Sequence, residues 1–307
     1  MSGSKRSIRE LLRAPTGRTS VDLGAIHPRT TPGLPPAEVV GSDPKTWARA
    51  QVAAIGAELG RQQEMLFASA KVDPASGRRL LLVLQAMDAG GKDGTIRRVA
   101  GTMNPLGLHI KSFGRPTEEE SSHHFLWRIR RALPAPGYVG VFNRSHYEDV
   151  LVPRVESLVP GHTWRARYDE INDFEDELAD GGVTLLKVFL HISYGEQLER
   201  LLRRLDDPHK HWKYEPADVD TRARWVDYQA AYAEALARCG SSRAPWYVVP
   251  ANRKWYRDWA VANLLRETFA ELRLTYPAPK FDVERERRRL LEERPRVGPD
   301  EHQMNEQ

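Results

Sequence analysis

The chain has 307 residues, 46 of them Lys or Arg and 42 Asp or Glu, giving a formal charge of +4. That length suits one large α/β domain with extensions, and the mild basic excess favours a polyanionic ligand without the charge density that nucleic acid binding demands. No apolar run approaches the roughly 20 residues that span a bilayer, residues 1–20 lack the apolar core of a secretory signal, and the single cysteine, Cys239, cannot close an intrachain disulfide, so a cytoplasmic protein without membrane or nucleic acid partners is expected.

Residues 1–41 are rich in Gly and Pro and read as an irregular arm, draped over the core or mobile. Asp43-Pro44 opens a helix in which Trp47, Val52, Ile55, Leu59 and Leu66 recur near helical spacing. From there strands are expected at 80–84, 108–113, 138–142, 183–192 and 246–249. Helices are expected at 95–103, 117–133, 165–180, 196–205, 221–238 and 254–274. The alternation implies a five-stranded parallel sheet covered on both faces, with ligands outside the carboxyl ends of the strands. Residues 42–275 are taken as this domain and 276–307 as a charged tail whose stretch 284–294 favours a solvated helix.

The first strand runs into Met87-Asp-Ala-Gly-Gly-Lys-Asp-Gly-Thr95. An aliphatic strand, a glycine-rich turn, a lysine and a helix start form the layout of a phosphate-gripping P-loop, in which backbone N–H groups and the helix dipole face an anion. Ala86 and Asp93 depart from the G-x-x-x-x-G-K-[ST] pattern, so the usual hydroxyl ligand for Mg²⁺ is absent and Asp88 and Asp93 bracket the lysine instead. The third strand ends in Phe142-Asn-Arg-Ser-His-Tyr147. There Asn143 stands where an acidic metal ligand is usual, Arg144 can grip phosphate oxygens, and Tyr147, Glu148 and Asp149 are within reach of the same cleft. Arg115 follows the second strand at the cleft edge, and Thr117 with Glu120 forms a capping box. His123 and Trp127 lie one turn apart on the expected helix, as do His124 and Arg128, with no zinc-ligand spacing. Arg204, His209, Lys210, His211 and Lys213 crowd a segment at about 203–222 that reads as a helical lid.

These three motifs, in this order, resemble the polyphosphate kinase 2 family, with similarity from about Ala48 to Leu274. The resemblance implies a P-loop kinase fold like that of thymidylate kinase, a three-layer sandwich often assembled as homodimers or tetramers. It also implies Mg²⁺-dependent, reversible transfer of phosphoryl groups between inorganic polyphosphate and nucleotides. The loop and turn are similar to members that act on both AMP and ADP. Gly90 stands where alanine is usual. On this basis Asp88, Lys92 and Arg144 are the expected catalytic residues. Ala89, Gly90, Gly91, Asp93, Gly94 and Thr95, with Arg204, Lys210 and Lys213 from the lid, are expected on phosphate. Arg115, Asn143, Tyr147 and Glu148 are expected on the nucleotide, AMP, ADP, ATP or a guanine nucleotide, and Asp88 and Asn143 on Mg²⁺. The alternatives are an ATP-dependent nucleoside monophosphate kinase and a non-catalytic polyanion or nucleic acid binder.

Overall fold

A computed structural model describes residues 6–16 and 20–293. The chain divides after Thr275 into two units. In the first, strands β1 (Arg79–Gln85), β2 (Leu108–Ser112), β3 (Val139–Asn143), β4 (Val183–His191) and β5 (Trp246–Pro250) form one parallel sheet in the order β2-β3-β1-β4-β5. All five lie where the apolar runs predict them. β1 shows why: Leu80, Leu82 and Leu84 enter one apolar cluster and Leu81 and Val83 the other, so both faces are dry and the strand reads as unbroken aliphatic sequence. Helices Pro44–Val72 and Lys254–Leu272 cover one face; helices Glu148–Val155, Gly161–Asp180 and Trp225–Arg238 cover the other. Because β1 lies at the centre, with β3 on one side and β4 on the other, the turns leaving β1 and β3 open into one crevice.

Several helices depart from expectation. The helix expected over 117–133 breaks into Glu118–Ser122 and Trp127–Arg131, because His123 turns extended. The capping box at Thr117 is present, and His123 still stacks on Trp127 at 4.2 Å, but His124 bonds Glu170 rather than facing Arg128. The helix after the P-loop begins at Lys92, and the one expected over 221–238 is two, Ala217–Ala223 and Trp225–Arg238. The N-terminal segment, expected to be irregular, carries a capped helix Ile8–Leu12 and a turn of helix at Ala37–Val40. Ile8 and Leu12 are buried, and Glu267 accepts from the N–H groups of Ile8 and Arg9. Gly17 of that arm lies outside the described residues. In the second unit Asp282 caps helix Val283–Glu292, which buries no residue; Arg294, expected in it, is not described. Among the described residues no helix is long and apolar enough to cross a membrane.

A buried polar cluster interrupts the core beside β4. Lys187 on β4 is fully buried and donates to Glu175, to the Tyr147 hydroxyl at 2.9 Å and to the Cys239 carbonyl at 2.6 Å. Burial would raise the Glu175 carboxyl, but the Lys187 charge and the His146 contact hold it below its usual range. Removing one partner of such a pair strands the other charge. Glu175→Gln is expected to cost about 3–5 kcal/mol in urea unfolding, with Glu175→Gln/Lys187→Met costing less than the sum of the single changes. A loss under about 1 kcal/mol would contradict this account.

Candidate active site

The turn between β1 and helix Lys92–Arg98 has every carbonyl from Ala86 to Gly91 occupied. Ala86 accepts from Lys92 Nζ at 2.9 Å and the Tyr232 hydroxyl at 3.1 Å. Met87 accepts from Gly90 N at 2.9 Å, and Asp88 from Gln197 Nε2 at 3.0 Å. Arg200 Nη1 donates to both Ala89 and Gly90, at 3.0 and 2.9 Å, and Gly91 accepts from Thr95 N and Oγ1. With the carbonyls drawn back, the N–H groups of Ala89, Gly91, Lys92, Asp93 and Gly94 have no hydrogen-bond partner among the described residues. This is a nest of donors at a helix start.

Backbone conformation makes the nest possible. Ala89 sits at φ 57° and Gly91 at φ 106°. A Cβ on Gly91 would lie 1.8 Å from Arg257 Nη1, and one on Gly90 2.4 Å from Ala86 Cβ, so in this loop neither glycine tolerates a side chain. Arg257 is 1% exposed and is held by Asp258, which also pairs with Arg98.

Lys92 is buried, and burial, with help from the nearby Arg144 charge, lowers its ammonium to about 8 against the partial opposition of Asp88, Glu148 and Asp93. Facing it, Arg144 leaves β3 at φ 63°, donates its N–H to Leu84 and its Nη2 to Asp88 Oδ1 at 2.8 Å. Glu148, 4.0 Å from Arg144 Nη1, and Asp88 raise the guanidinium further above its ordinary range. Glu148 itself is pushed up by burial and pulled back by Arg144 and Lys92. Asp93 accepts from Asn143 Nδ2 at 3.0 Å and pairs with Lys213 at 3.3 Å, linking P-loop, β3 and lid. Burial would raise its carboxyl, and those two contacts outweigh burial.

The structure thus brings together Asp88, Lys92, Asp93, Asn143, Arg144, Glu148 and Lys213, and places other expected site residues elsewhere. Tyr147 is 1% exposed and its hydroxyl donates to Glu175 in the core, because the left-handed Arg144 turns the chain inward. Thr95 is buried with its hydroxyl on its own helix. Arg204 is spent on the Lys213 carbonyl at 2.9 Å and Asp218 at 3.1 Å, so it shapes the lid from within. Lys210 pairs with Asp207 in its own turn. Arg115 is exposed beyond β2 and makes no side-chain hydrogen bond or ion pair among the described residues. Arg200 and Gln197, which hold carbonyls of the turn, and Asp218, which pairs with Arg204, were not singled out in the sequence, whereas Tyr232 lies in the core as its helical spacing suggests. A signal for the first two exists: Gln197, Arg200 and Arg204 share one face of a helix whose Leu198, Leu202 and Leu205 are exposed.

Asp88 and Asn143 can share Mg²⁺ only if phosphate oxygens and water complete its shell, since no three His, Cys, Asp or Glu side chains converge as a metal cage among the described residues. Gly91→Ala, which forces both φ and Arg257, is expected to lower stability by about 1–3 kcal/mol in urea unfolding; an unchanged midpoint would contradict the packing described.

The family model for polyphosphate kinase 2 (PPK2) matches residues 49–274. An AMP/ADP-polyphosphate phosphotransferase from Meiothermus ruber is 48% identical over 234 residues, covering 76% of this chain and 85% of the relative. An ADP-polyphosphate phosphotransferase from Rhodopseudomonas palustris is 41% identical over 231 residues, covering 71% and 78%. The crystal structure of polyphosphate kinase 2 from Arthrobacter aurescens superposes with a TM-score of 0.88 at 45% identity, covering 94% of this chain and 98% of that one. With its P-loop nest, its Asp88–Arg144 pair and its matched length, this chain belongs to the polyphosphate kinase 2 family of phosphotransferases.

Proposed function

We propose that the protein moves a terminal phosphoryl group from inorganic polyphosphate to AMP and ADP, with Mg²⁺ and in both directions. The observation that carries this reading is the nest of unpartnered N–H groups beside Lys92, faced by Arg144. The P–O bond to the donor chain breaks, a P–O bond to the acceptor's terminal phosphate oxygen forms, and both are phosphoanhydrides, so the exchange is near thermoneutral. No covalent enzyme intermediate is needed. Lys92 and the nest orient the migrating group, and Arg144, held by Asp88, neutralises charge as it spreads over the equatorial oxygens. Mg²⁺, held by Asp88 and Asn143 together with phosphate, would supply further charge neutralisation. Asp93 and Lys213 hold the lid against the loop, positioning it for closure over a bound substrate.

The donor's place follows from charge. A cavity of about 840 Å³ is walled by Arg98 of the P-loop helix, Arg203 of the helix leading to the lid, and Arg253 and Lys254 after β5. Its acids are already neutralised: Glu196 by Arg200 and Arg203, Glu199 by Arg203, and Asp258 by Arg98 and Arg257. Arg49, Arg253 and Lys254 form no salt bridge among the described residues, and burial plus the charges of Arg200, Arg203 and Arg257 lower Lys254. A repeating anion with no base to recognise suits such a wall.

Incubation with AMP and polyphosphate is expected to yield ADP and then ATP, whereas AMP with ATP alone reacts far more slowly. The reverse preference would make the protein a nucleoside monophosphate kinase, and salt-sensitive binding without transfer a polyanion binder. Lys92→Ala is expected to lower kcat by about 10²–10³-fold, and wild-type kcat in that variant would refute the placement. Because the ammonium is the active form and its folded value lies near 8, kcat/KM is expected to fall as pH rises through about 8. The corresponding limb of kcat should lie at higher pH, since bound phosphate stabilises the charge. A kcat/KM profile flat to about pH 10 would contradict this.

A further inference from the structure

The basic cavity is not built by the family-matching region alone. Arg29 and Lys45 line it, and both precede residue 49, where the family match begins. Arg29 belongs to the arm that the sequence marks as irregular, yet the arm is fastened here. The Pro28 carbonyl accepts from Asn252 N at 3.1 Å, and the Pro32 carbonyl from the Tyr256 hydroxyl at 2.7 Å. Asn252 is in turn clamped to Ser193, and its carbonyl accepts from Arg200, the residue that holds the P-loop carbonyls. The arm is therefore joined to the phosphate nest through one loop. Arg29 is exposed and forms no side-chain hydrogen bond or ion pair among the described residues. Lys45 stands at the start of helix Pro44–Val72, where the nearby Asp43 carboxylate is engaged in capping the N–H groups of Lys45 and Thr46.

We infer that Arg29 and Lys45 form an outer subsite for inorganic polyphosphate, contacting donor phosphates remote from the transferring group and so favouring long chains over short ones. The inference rests on the donor occupying this cavity. Arg98, whose guanidinium lies against Gly94, marks the end of the cavity nearest the nest, and the arm and the first turn of helix Pro44–Val72 supply the wall that the family-matching residues leave out. Two exposed cations on a flexible polyanion act additively and are screened by salt, so their signature is a chain-length-dependent KM with a salt dependence of its own.

The test compares Arg29→Gln/Lys45→Gln with Arg253→Gln/Lys254→Gln, each assayed with long-chain polyphosphate and with tripolyphosphate at saturating ADP. Both arm substitutions are at exposed positions. The arm variant is expected to raise KM for the long chain about two- to tenfold and to flatten its salt dependence. It should leave KM for tripolyphosphate and for ADP unmoved, and Arg29→Lys should restore the long-chain value. The Arg253/Lys254 variant is expected to raise KM for both donors. If only that second variant has an effect, the arm subsite is wrong and the donor cavity stands. If the arm variant weakens both donors equally, its effect is general field and not a subsite, which also overturns the inference. If neither variant changes either KM, the donor does not use this cavity and both readings fall.

Discussion

A backbone turn that offers its N–H groups to an anion must turn its carbonyls away, and those carbonyls need partners of their own. Here one guanidinium meets that requirement for two adjacent carbonyls in the middle of the turn. Arg200 takes the carbonyls of Ala89 and Gly90 and, with its other nitrogen, those of Ala251 and Asn252. The P-loop is thereby fixed to the exit of β5 by a residue on helix Tyr194–Leu205, the helix that leads into the lid. Gln197 on the same face holds Asp88. The polar face of that helix points inward, and Leu198, Leu202 and Leu205 are left outside.

Charge is distributed in keeping with this frame. Around the P-loop turn and the lid several cations have a carboxylate close by: Arg144 has Asp88 and Glu148, Lys213 has Asp93, and Arg204 has Asp218. On the cavity side the carboxylates are used up and cations remain. Paired cations hold a geometry, while unpaired ones attract a polyanion whose phosphates carry their own countercharge. The ammonium of Lys92 is weakened by burial, which leaves it poised to gain from an arriving phosphate.

Much of this was legible in the sequence, for identifiable reasons. Parallel strands buried on both faces announce themselves as aliphatic runs, and the P-loop and the β3 turn lie at the ends of two of them. The expected site residues that the structure holds away from the P-loop turn lie there through backbone geometry and competition. Tyr147 looks cleft-facing until the left-handed Arg144 redirects the chain, and Arg204 and Lys210 look free until local acids claim them. Lys187 gave a usable sign, a lone charge within the apolar run Val183–Ile192, which demands a buried partner. Glu175 gave none, since it sits among Asp173, Asp176 and Glu177 in an acid-rich helix. Arg200 was hidden because helical periodicity is normally read with the apolar face inward, and this helix reverses it.

The central claim is that the nest beside Lys92 receives the migrating phosphoryl group, with its donor chain running toward Lys254. A crystal structure of the protein with tripolyphosphate bound tests it most directly. The account predicts a terminal phosphate within hydrogen-bonding distance of Lys92 Nζ and of the N–H groups between Gly91 and Gly94, with the next phosphates toward Arg253 and Lys254. A phosphate chain bound elsewhere, with the Lys92 ammonium still closed on the Ala86 carbonyl, would contradict it.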